Sequence, residues 1–176
     1  MKKIQTKRLV LAAMFLCIGF VLPLLTGQIK EIGDSLLPMH LPVLLCGVLC
    51  GAGYGFAIGI TLPFLRSLFF SMPPIYPNAV WMALELATYG LVIGLLYARA
   101  RNKSLKSIYL SLVSAMLAGR IVWGVSKALL LGLGGKTFTV AMFVTGGFVD
   151  ALPGIILQLI LVPLIVKVIE RKREVR

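Results

Sequence analysis

Two cations, Arg120 and Lys127, interrupt the apolar stretch Tyr109 to Leu133 seven residues apart, a spacing that puts both on nearly one face of a helix. An ionisable side chain facing hydrocarbon costs a few kcal/mol, so such a residue turns toward a bundle interior, a water pocket or a bound ligand. Glu85 is the one acid in the apolar run 79 to 98. Arg120 and Glu85 have two readings of equal standing: a buried ion pair that fixes the register of two helices, or a pair that contacts a ligand. Lys127 is expected to meet a ligand group or a loop acid, Glu31 or Asp34, with extension outward to the interface as the alternative.

Other residues belong to the same candidate site. Trp123 and Gly124 lie between the two cations, and an indole at that depth suits stacking on a flat solute. Tyr76 and Asn78 stand at the head of the run that carries Glu85, and Gln158 follows Pro153-Gly154 in the last apolar run. Tyr76 and Trp81 also fit the interfacial belt in which aromatic residues gather. His40 is the single histidine; a hydrogen-bonded structural role is favoured over a proton relay. Arg66 is expected to extend to the interface or to pair with a loop. Gly135-Lys136-Thr137 imitates the end of a phosphate loop, but Leu130 stands where the first glycine belongs. With no nucleophile, zinc or nucleotide constellation in the chain, neither an enzyme nor a cofactor is expected.

These residues need a membrane scaffold to position them. The 176 residues are 59% hydrophobic with mean hydropathy +0.99, which leaves too little polar surface to coat a soluble globule. An all-α polytopic bundle is expected, one transmembrane domain over 1–176 with six spans near 9–26, 39–53, 55–70, 79–98, 108–132 and 149–168. Gly51 to Gly55 reads as a tight turn between short second and third spans. Cys17, Cys46 and Cys50 fall inside spans and read as packing residues.

Charge orients the bundle. Lys2, Lys3, Lys7, Arg8, Arg99, Arg101, Lys103, Lys106, Lys167, Arg171, Lys172, Arg173 and Arg176 collect on one side, and the opposite loops hold only Lys30 and Lys136. The positive-inside rule makes the first side and both termini cytoplasmic in a plasma membrane. Anionic headgroups of the lipid bilayer account for the net charge of +12 without a nucleic acid partner. The outer loops are the unusual ones: Gly27 to Ser35, the proline-stiffened Ser71 to Asn78, and Gly132 to about Phe148. That asymmetry suggests a site capped from outside.

Small residues in the first span, among them Ala13 and Cys17, leave a low face for another helix. That face, with the strings His40-Leu41-Pro42-Val43-Leu44-Leu45-Cys46-Gly47, Ser71-Met72-Pro73-Pro74, Gly119-Arg120-Ile121-Val122-Trp123-Gly124 and Pro153-Gly154-Ile155-Ile156-Leu157-Gln158, resembles the substrate-binding S component of energy-coupling factor (ECF) vitamin transporters over essentially the whole chain. The resemblance is greatest to the pantothenate, pyridoxine and hydroxymethylpyrimidine subgroup. It implies a prokaryotic subunit that captures a vitamin under loop one, between spans four, five and six. The subunit then docks on a transmembrane coupling subunit, topples and releases the vitamin inside, with two cytoplasmic ATPase subunits supplying energy. The family's docking motif, two alanines four apart, falls on Ala13 and Cys17, with cysteine in place of the second alanine.

A cation, an acid, amides and an aromatic plane suit a small polar solute. With Arg120 held by Glu85, Lys127 suits the carboxylate of pantothenate; with Glu85 free, pyridoxine or an aminopyrimidine over Trp123 fits as well. Pantothenate is favoured. The rival readings are a self-sufficient proton-coupled carrier or channel using His40 and Glu85, and a structural membrane protein that binds no solute.

Overall fold

The computed structural model describes residues 2–26 and 35–174. The loop acids Glu31 and Asp34 lie outside the described residues. Helix α1 (Lys2–Val21) runs into a 3-10 turn (Leu22–Thr26) and is followed by α2 (His40–Cys50), α3 (Ala52–Phe70), a π-turn (Ile75–Ala79), α4 (Val80–Arg99), α5 (Leu105–Leu133), α6 (Val140–Val144) with its π-turn (Thr145–Val149), and α7 (Leu152–Glu174). Among the described residues no strand interrupts this order.

Five of these helices are long and apolar enough to cross a membrane. The expected second span is not among them. Gly51 ends α2 after 11 residues, about 16 Å of helix against the roughly 30 Å of a hydrocarbon core. Gly51 alone makes the turn, at φ 108°, a conformation cheap only for glycine. Gly53 and Gly55 are already helical in α3, not part of an extended turn as the composition suggested.

Packing explains that placement. Gly55 of α3 meets Gly90 of α4, Gly59 meets Leu86 and Ala87, and Gly94 meets Ala52 and Gly47. A Cβ on Gly90 would lie 2.3 Å from the Gly55 carbonyl, and one on Gly59 would lie 2.5 Å from Leu86 O. Two small-residue ridges thus bring the backbones into contact, the standard intramembrane device. Gly47 adds α2 to the junction, where a Cβ would meet Gly90 O at 2.6 Å. Helix α4 is therefore the central post, packed on α2, α3 and α5. The surrounding core includes Val43, Leu44, Leu62, Leu86, Ile93, Ile108, Leu112 and Val162, all 0% exposed.

Arg66 does not extend to the interface. It is 3% exposed, donates from Nη1 to Phe20 O at 2.6 Å, and sits 5.0 Å from the Phe70 ring. A cation satisfies the unpaired carbonyls at the end of α1 and complements its dipole there. At the basic end, the Tyr97 hydroxyl donates to Glu170 and Lys167 Nζ donates to Lys103 O at 3.2 Å, joining α7 to the α4–α5 connection.

The connection after α5 also departs from the expected loop. Gly135-Lys136-Thr137 forms the helix stop: Gly135 takes φ 69°, Gly135 N donates to Gly132 O at 3.0 Å, and Lys136 N donates to Leu131 O at 2.9 Å, a glycine C-cap. Thr139 then caps α6, its hydroxyl accepting from Met142 N at 3.3 Å, so an apolar run that reads as loop folds as a short helix.

Candidate functional site

Three helices bring polar side chains together, with Glu85 meeting Arg120 and standing beside His40, and a fourth, α7, carries the buried Gln158. His40 opens α2. The segment before it is fixed by Leu37, whose left-handed φ of 50° is strained for leucine, and by His40 N donating to Leu37 O at 3.0 Å. Glu85 lies in the second turn of α4, Arg120 midway along α5 and Gln158 in the second turn of α7. They are 1%, 2%, 4% and 1% exposed respectively.

Glu85 is the hinge of the group. Its Oε1 accepts from Arg120 Nη1 at 2.9 Å and stands 3.4 Å from His40 Nε2, too long for a well-formed hydrogen bond. The His40 ring rests edge-on against Tyr89, centroids 5.1 Å apart. Gly119 lets α5 come this close, since a Cβ there would lie 2.8 Å from the Tyr89 ring. The pairing joins α4 to α5, as the structural reading required, but it does not exhaust the cluster. Among the described residues, both ring nitrogens of His40, Nε and Nη2 of Arg120, and both amide atoms of Gln158 are fully buried without a hydrogen-bond partner. Buried polar atoms in native proteins are nearly always satisfied, so the four on His40 and Arg120, both beside Glu85, stand out.

Lys127 belongs to a second tier about 10 Å further along α5. Its Nζ lies 4.5 Å from the Trp123 ring, 5.4 Å from Trp81 and 5.4 Å from Phe138, a three-sided aromatic enclosure that favours a cation. Trp123 links the tiers, because the Arg120 guanidinium is 5.9 Å from the same ring. The ring is backed by Gly146 and Gly147, where a Cβ would stand 3.3 and 3.4 Å from its atoms. Phe138 and Phe143 flank it at 5.9 and 6.1 Å. Phe138, Phe143 and the two glycines come from outer loop three and were not among the residues expected at the site. The glycine pair preceding an aromatic residue was the available signal.

The other expected site residues are placed differently. Asn78 is half-buried in the π-turn ahead of α4. Tyr76 is 62% exposed with extended backbone and has no described contact with the cluster. Ala13 and Cys17 are both exposed on α1, beside Leu9, Val10, Met14 and Ile18, which are 42–58% exposed. A groove of 330 Å³ opens on the neighbouring face of α5, between Ile121, Val125 and Ala128 and the rings of Phe138 and Phe143. Its apolar lining and its continuity with exposed Ile121 and Val125 set it apart from the polar cluster.

No curated protein and no solved structure matches the chain. A family model described as "ECF transporter, substrate-specific component" matches residues 7–166, a range that holds every residue of both tiers and the exposed face of α1. The chain belongs to the ECF transporter substrate-specific component family, whose members are substrate-binding transport subunits and not enzymes.

Proposed function

We propose that the chain captures a small water-soluble vitamin or vitamin precursor at the outer face of a prokaryotic plasma membrane, with both termini cytoplasmic. His40, Glu85, Arg120 and Gln158 form the floor of the site, and Trp123, Lys127 and Asn78 its outer wall. The single observation that carries this reading is the buried meeting of His40, Glu85 and Arg120 from three helices, where four polar atoms of His40 and Arg120, like both amide atoms of buried Gln158, are satisfied by no described residue. Desolvating those atoms is costly, and a polar solute that pairs with them recovers the cost only when bound. Pantothenate, pyridoxine and hydroxymethylpyrimidine are the candidate solutes. The energy step belongs to partners: the exposed small-residue face at Ala13 and Cys17 docks on an ECF coupling subunit, and two ATPase subunits drive import.

The test is a titration of the purified chain with a vitamin panel while tryptophan emission is followed. Trp81 and Trp123 are the only two tryptophans, and both lie beside Lys127. A saturable change with one vitamin at low concentration is the expected result. Silence across the panel, with direct dialysis also showing no binding, contradicts capture.

A further inference from the structure

The Arg120 guanidinium carries information about the solute's charge. It meets Glu85 through Nη1 alone. Nε and Nη2, which lie along one edge of the guanidinium plane, are buried and meet no acceptor among the described residues. Two parallel N–H donors on one arginine edge match the two oxygens of a carboxylate, the bidentate geometry that makes arginine the residue of choice for that group. A ring nitrogen or a hydroxyl engages one of these donors and leaves the other orphaned. A phosphate dianion brings a second charge beside Glu85, already 2.9 Å from the same guanidinium, where like charges repel.

Resting on the capture reading, we infer that the solute is a monocarboxylate whose two oxygens seat on the Nε–Nη2 edge of Arg120. The amide of Gln158 and the imidazole of His40, each with both polar atoms available, hydrogen-bond hydroxyl or amide groups along the solute's body. The carboxylate therefore lies on the inner tier, not on Lys127, whose ammonium is bracketed by Trp81, Trp123 and Phe138. Specificity follows from burial, since a site built to pair a polar group discriminates strongly against the analogue that lacks it.

The experiment is calorimetric titration of the full chain in nanodiscs with matched ligands. These are pantothenate and its alcohol analogue pantothenol, nicotinate and nicotinamide, biotin and biotinamide, then pyridoxine, hydroxymethylpyrimidine and inorganic phosphate. One carboxylate is expected to saturate, with its neutral analogue weaker by about 100-fold or more, the loss of two charge-assisted hydrogen bonds. Arg120→Lys keeps a cation opposite Glu85 and removes the two-donor edge, so it is expected to erase most of that preference. The analogue pair on the unsubstituted chain decides the matter if the variant does not fold. Tight binding of pyridoxine or hydroxymethylpyrimidine with no carboxylate bound overturns the inference and leaves capture standing, and tight phosphate binding overturns the choice of carboxylate. A chain that binds none of the panel removes capture and the inference together.

Discussion

Arg120 Nη1 and Glu85 Oε1 meet at 2.9 Å between α5 and α4, and this one bond leaves the opposite edge of the guanidinium buried without an acceptor. The ion pair is at once a helix-to-helix fastening and an incomplete one. The structural reading of the pair and the ligand-binding role proposed for Arg120 use different edges of one guanidinium.

Removing the acid alone exposes that duality. Glu85→Ala leaves Arg120 as an uncompensated buried charge and is expected to destabilise the chain by about 3–5 kcal/mol. The double variant Glu85→Leu with Arg120→Met removes both charges and is expected to recover most of that loss while abolishing solute binding. Unfolding in mixed detergent micelles measures the first effect and equilibrium dialysis the second. Recovery of binding in the double variant contradicts a ligand role for Arg120.

The glycine junction supports the site from below. Gly90→Ala places a methyl 2.3 Å from the Gly55 carbonyl, so α3 and α4 must separate, and the loss of contact propagates to Glu85 little more than one turn away. Overpacking of this kind costs about 1–3 kcal/mol. A lowered melting transition together with weaker vitamin binding is the expected pair of outcomes. Gly53→Ala, where a Cβ meets nothing within 4 Å, is the control and is expected to change neither.

Lys127→Met tests the aromatic enclosure. It removes an ammonium 4.5 Å from the Trp123 ring, an interaction worth about 0.5–2 kcal/mol. The expected result is a modest fall in stability and a shifted tryptophan emission, with preference for carboxylate over neutral analogue retained. Loss of that preference would transfer the carboxylate seat from Arg120 to Lys127.

Cys17 tests the docking face proposed on α1. Cys17→Leu raises a bulky side chain on the exposed small-residue face without touching the polar cluster, so vitamin affinity is expected to stay unchanged. Co-purification with an ECF coupling subunit is expected to fall sharply, and Cys17→Ala is expected to retain it. Unchanged assembly in Cys17→Leu points to another docking face.

The sequence disclosed the chemistry of the site better than its geometry. Arg120 and Glu85 stand out because ionisable residues are rare at membrane depth and costly there, and His40 as the single histidine, and neither argument needs coordinates. Their convergence depends on glycine contacts between helices, and the spacing of Gly55, Gly59, Gly90 and Gly94 is legible in the sequence while the partners each meets are not. Helix α2 is shorter than the expected second span: the glycine run marks a turn in the sequence, and Gly51 at φ 108° fixes where the helix stops. Helix α6 was missed because five residues carry too little periodicity, although Thr139 before an apolar run was a usable cap signal. Arg66 was misplaced for a different reason. Its partner is the Phe20 carbonyl, 46 residues earlier, and no local pattern encodes a contact of that range.

Determining the structure of the chain with its vitamin bound tests the central claim most directly. The account predicts the solute within hydrogen-bond distance of Arg120 Nε and Nη2 and of the Gln158 amide, beneath the Trp123 ring. A vitamin seated elsewhere, in the apolar groove beside Ile121 and Val125 or on the exposed surface near Tyr76, with the six buried polar atoms still unmatched, would contradict it.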